Sequence, residues 1–129
     1  MPNYDAERFD PPAPFAQLSL RHPINRQRTT NVFMLLDSGA DATLIPRKAL
    51  SSLELEVDAS QVYELLAFDG TVSYAFPVQP DLIFLNRVFH GRYLVIEAEW
   101  GVFGRDILDF VPVVLNGPAL TWHEFRQTS

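Results

Sequence analysis

The sequence contains no cysteine, which excludes disulfide staples and thiolate metal sites. Its absence fits a reducing compartment, and a cytoplasmic location is the expectation. Histidine is scarce: His22, His90 and His123 stand too far apart for helical or strand spacing to gather them. His123-Glu124 lacks the second histidine of a zinc-protease motif, so no metal is expected. Long apolar runs are missing too. Val32–Leu36, among the longest, falls far short of the roughly 20 residues that span a bilayer. Met1–Asp10 is polar and mixed in charge, without the apolar stretch of a secretory leader. Positive charge is in the minority, 10 Lys and Arg against 16 Asp and Glu, for a net charge of −6. No basic cluster stands ready to replace phosphate counterions, so neither a nucleic-acid partner nor a membrane-surface helix is expected.

What is present is the material of one small β domain. The 129 residues are 47% hydrophobic, and ten prolines and six glycines punctuate short apolar segments, the pattern of an all-β chain. Residues 1–14, carrying Pro11, Pro12 and Pro14, read as a flexible N-terminal arm ahead of a domain over 15–129. Phe15–Leu20 alternates as a strand does. Val32–Leu36 is continuously apolar and reads as a strand buried on both faces. Arg47–Leu53 is a candidate short helix with Pro46 at its start. Gln61–Phe68 and Thr71–Val78 flank Asp69-Gly70, a hairpin signal. Leu82–Leu85 and Val88–Glu97 supply further strands, Gly104–Phe110 a second short helix, and Asn116-Gly117-Pro118 a turn between two final strands.

The informative place is where the apolar run meets Asp37. A carboxylate there is expected to be partly desolvated, which penalises its charged form. Ser38 adds a hydroxyl, and Gly39 lets another backbone come close. Taken alone, Asp-Ser-Gly is equally an ordinary polar turn.

Asp37-Ser38-Gly39-Ala40-Asp41-Ala42-Thr43 resembles the signature of retropepsin-like aspartic peptidases, with the apolar run before it and Leu44-Ile45 behind. Further on, Val102-Phe103-Gly104-Arg105-Asp106-Ile107-Leu108 resembles the second signature of the same family. The resemblance implies a small closed barrel-like all-β fold with one or two short helices and a β-hairpin flap. It makes Asp37 the catalytic aspartate, with Ser38, Gly39 and Thr43 supporting the active-site loop. Gly39, Ala40, Asp41 and Ala42 would meet the peptide, with Val102 and Trp100 bordering a side-chain pocket. Asp41 would pair with Arg105, a guanidinium being suited to grip a carboxylate. Phe68, Asp69, Gly70 and Thr71 would form the tip of the flap. Leu65–Thr71 holds a single glycine and an acid at that tip, a departure from glycine-rich flaps.

Peptide hydrolysis of this kind needs two aspartates sharing a proton around one water. The chain has one Asp-Ser-Gly. The second carboxylate is therefore expected from a second copy, in a twofold homodimer that acts on peptide or unfolded protein without a cofactor. A peptide-binding or dimerisation module with the same fold, and a monomeric β-barrel ligand binder, are the rival readings.

Overall fold

The computed structural model describes residues 3–67 and 69–126. Its framework is one large sheet whose strands follow the apolar segments of the sequence. The long hairpin of β2 (Ala13–Arg21) and β3 (Thr29–Leu36) lies near its centre, paired from Phe15↔Leu35 to Arg21↔Thr29. Period-2 alternation sends Leu18, Leu20, Val32, Met34 and Leu36 to the core. Phe33, between them, remains 48% exposed, so β3 buries one face, not the two that its apolar run suggested.

The chain next forms β4 (Leu44–Pro46) and α1 (Arg47–Leu53). Pro46 is the residue capping α1, and Ala49, Leu50 and Leu53 turn its apolar stripe inward. A hairpin follows, β5 (Tyr63–Leu66) and β6 (Val72–Val78), then β7 (Asp81–Phe84), β8 (Arg87–His90) and β9 (Tyr93–Ile96). Strand β10 (Gly101–Phe103) leads directly into α2 (Arg105–Leu108). The sheet runs β5-β6-β9-β4-β10-β3-β2-β7-β8. This path ends in two edges, so the closed barrel expected from the family resemblance is replaced by an open, strongly crossed sheet. β10 is central to the layout: it pairs in parallel with β3 and antiparallel with β4, side by side with both halves of the Asp37 segment.

The N-terminal segment, expected as an arm, pairs with the rest of the chain over part of its length. β1 (Tyr4–Asp5) pairs with Ala13 and Pro14, and the Tyr4 N–H donates to Leu120 O at 2.9 Å. Asn3 bridges Thr121 in the C-terminal hairpin of β11 (Val113–Asn116) and β12 (Thr121–Glu124). These main-chain bonds satisfy groups that a free arm would leave to water. Met1, Pro2 and the end of the chain from residue 127 lie outside the described residues.

At the far edge, directly opposed residues of three strands build a polar knot. Asp81 is buried on β7; Arg21 of β2 reaches its Oδ2 at 2.9 and 3.1 Å, and His90 Nδ1 of β8 lies 2.7 Å from Oδ1. Burial works most strongly against the Asp81 charge, but the bonds from Arg21 and His90 outweigh it and hold its pKa below the ordinary 3.8. No described helix is long and apolar enough to cross a membrane.

Candidate active site

Asp37 follows the last residue of β3, and its half-buried carboxylate opens onto a cleft of about 750 Å³. The loop that carries it folds on itself first. Asp37 Oδ1 accepts the Gly39 N–H at 2.9 Å, and the Ala40 N–H donates to Asp37 O at 3.1 Å. A carboxylate receiving a backbone N–H two residues on is an Asx turn, which fixes the side-chain direction. A Cβ on Gly39 would stand 3.1 Å from that same Oδ1.

The loop is then locked to the second motif. The Asp37 N–H donates to Phe103 O at 3.0 Å, and the Arg105 N–H to Ala40 O at 2.8 Å. Thr43 is fully buried and binds in three ways. Its Oγ1 donates to Asp106 Oδ1 at 2.6 Å, its N–H donates to Asp106 Oδ2 at 3.1 Å, and Oγ1 accepts the Gly104 N–H at 3.2 Å. Gly104 is packed so closely that an added Cβ would lie 2.6 Å from the Ala42 carbonyl carbon and oxygen. The two motifs, distant in sequence, meet because β3 and β10 run parallel and end together, Phe103 beside Leu36.

Arg105 departs from expectation. It forms no ion pair with Asp41; its Nη1 donates to Ser38 O at 3.0 Å instead. The guanidinium thus braces the Asp37 loop through a backbone carbonyl. Asp41 is exposed, as are Ser38 and Gly39, while Ala40 and Ala42 are half-buried. Asp37, Gly39, Ala40, Asp41 and Ala42 all line the cleft, with Leu44 and Arg105.

The flap strand supplies the opposite wall through Glu64, Leu65, Leu66 and Ala67. Its turn is closed by the Ala67 N–H to Thr71 O and the Gly70 N–H to Ala67 O, both at 3.0 Å, with Gly70 at φ +86°. The Thr71 N–H also donates to Asp69 Oδ1, and the Asp69 pKa is lowered chiefly by its hydrogen bonds to Thr71. Phe68, placed at the flap tip from the sequence, lies outside the described residues.

Trp100 and Val102 do not join this cleft. The Trp100 ring packs on Phe9 and Phe15, with centroids 5.1 and 6.1 Å apart, and borders a separate groove beside Arg8 and Phe33. Val102 sits half-buried in β10 between Leu35 and Leu44. Glu64 and Leu44 also line the cleft and were not among the expected site residues. Thr43 was expected to support the loop, but its bond to Asp106 carried no sequence signal: both residues belong to motifs, and nothing in their spacing says that they touch.

No family model and no curated protein matches the chain. Solved structures do. The chain is similar to EIAV protease complexed with the inhibitor HBY-793, with a TM-score of 0.58 and 21% identity over 76% of this chain and 86% of that one. At that identity the likeness concerns the fold, which is retropepsin-like and all-β.

Proposed function

We propose that the protein is an aspartic endopeptidase that works as a homodimer, each chain contributing its Asp37 to one shared site. The observation that carries this reading is the Asp37 carboxylate itself: aimed by the Gly39 N–H, half-buried, and opening into a peptide-sized cleft between a braced loop and a hairpin. With two such carboxylates close together, like charges oppose double ionisation and one proton is held between them. One carboxylate then takes a proton from a bound water while the other, protonated, donates to the scissile carbonyl oxygen. The Ser38 hydroxyl, on the exposed side of the loop, joins the partner's loop in this arrangement. The flap covers the bound peptide, and no cofactor takes part.

The test is cleavage of an unfolded protein from acidic to neutral pH, wild type beside Asp37→Ala, across a dilution series. The expected result is acid-favoured activity that disappears in the variant and rises faster than linearly with enzyme in the dilute range. Activity that survives Asp37→Ala would remove the carboxylate from the reaction. A folded dimer that binds peptide without cutting it would favour a binding module instead.

A further inference from the structure

Resting on the proposed peptide-binding role of this cleft, we infer that Glu64 is a specificity-determining residue that selects peptides with a lysine or arginine beside apolar residues. The cleft has two chemically different components. Its apolar surface is Leu44 with Leu65 and Leu66, the last 75% exposed in the single chain. Its charged groups are the carboxylates of Asp37, Asp41 and Glu64 and the guanidinium of Arg105.

Two of these charges have a definite engagement. Asp37 is taken up by the Gly39 N–H, and Arg105, the only cation lining the cleft among the described residues, by Ser38 O. Glu64 has none: among the described residues it makes neither an ion pair nor a side-chain hydrogen bond. Its cross-strand partner is Tyr74, which cannot neutralise it. Arg92, bonded to the neighbouring Tyr63, is engaged there, donating to Gln61 Oε1 and Tyr63 Oη.

Glu64 is therefore a carboxylate on the hairpin wall of a cleft whose loop wall carries Asp41, which is likewise unpaired among the described residues. When the hairpin lies over a peptide, water leaves the space between those walls and an unmatched carboxylate there becomes costly. A cationic side chain from the peptide removes that cost, and its apolar neighbours cover Leu65 and Leu66. An acidic or neutral side chain leaves Glu64 unmatched. Discrimination arises as much from rejecting the wrong peptide as from attracting the right one.

The test separates binding from cutting. Fluorescence anisotropy is measured with Asp37→Asn, which on the proposed mechanism cannot cleave, against an apolar octapeptide carrying one lysine and against the same peptide with glutamine there. About a fivefold preference for the lysine peptide is expected, shrinking with added salt and falling to near unity in Glu64→Gln. Equal binding of both peptides, a preference unchanged by Glu64→Gln, or binding of neither peptide would overturn the inference. Wild-type cleavage of the same peptides reports on the peptidase reading separately: cutting without preference overturns only the role of Glu64, and preferential binding without cutting overturns only the catalysis.

Discussion

The loop of Asp37–Thr43 and the hairpin of β5 and β6 form opposite walls of one cleft and are built in opposite ways. The loop is braced from behind by Phe103, Gly104, Arg105 and Asp106, through backbone and side-chain bonds, those of Gly104 and Asp106 meeting on a fully buried threonine. The hairpin is held chiefly by its own strand pairing and turn, and exposes Leu66, Val72 and Tyr74. One wall fixes a carboxylate in a set direction; the other presents side chains that a ligand can cover. Groups that must be placed to within a fraction of an ångström belong on a braced wall, and groups that adapt to a ligand on one held chiefly by its own pairing.

The sharpest way to test this contrast is Asp37→Ala. On the proposed mechanism it lowers peptide cleavage about a thousandfold or more while leaving the fold intact, as circular dichroism would check. Gly104→Ala should follow with a loss of about 3 kcal/mol in urea unfolding, since its Cβ has only backbone to push against. Thr43→Val should cost about 2 kcal/mol, because it strands an Asp106 oxygen and the Gly104 N–H, whereas Thr43→Ser should restore most of the loss.

The edge knot offers a control away from both walls. Asp81→Asn should cost about 1–2 kcal/mol at neutral pH by weakening the Arg21 bonds. The Asp81 pKa is lowered by folding, so its charged form contributes stability above the unfolded value, and that contribution is lost as pH falls through the folded value. The difference between wild type and Asp81→Asn should therefore be full at neutral pH and narrow below 3.8, the ordinary carboxylate value. Thermal unfolding across that range would distinguish this acid effect on stability from the opposite acid dependence proposed for activity.

Leu66→Ser should have the smallest effect on stability, under about 0.5 kcal/mol, because the side chain is already exposed, while weakening peptide binding. If Leu66→Ser destabilised the protein as much as Gly104→Ala, the contrast between a fixed and an adaptable wall would fail.

Local elements were legible where a local cause sets them. Pro46 marked the start of α1, whose Ala49, Leu50 and Leu53 turn inward, and Asp69-Gly70 marked the hairpin. The run Val32–Leu36 misled about burial because five apolar residues do not say how many neighbours a strand has, and Phe33 faces outward. Arg105 misled for a similar reason. The family resemblance suggested the Asp41 carboxylate as its partner, but proximity gave it the Ser38 carbonyl. Trp100 sits near the second motif in sequence, yet the turn before β10 sends its ring toward Phe9 and Phe15.

By itself, the sequence determined the strand-rich class, the two motifs and the presence of only one Asp-Ser-Gly in the chain, because periodicity, turn chemistry and motif order are properties of neighbouring residues. Only the tertiary structure decided that Thr43 meets Asp106, that the sheet stays open, that the N-terminal segment is strapped down, and that Glu64 faces the cleft. Those facts depend on which distant backbone groups come within hydrogen-bonding distance, and no local pattern encodes that choice.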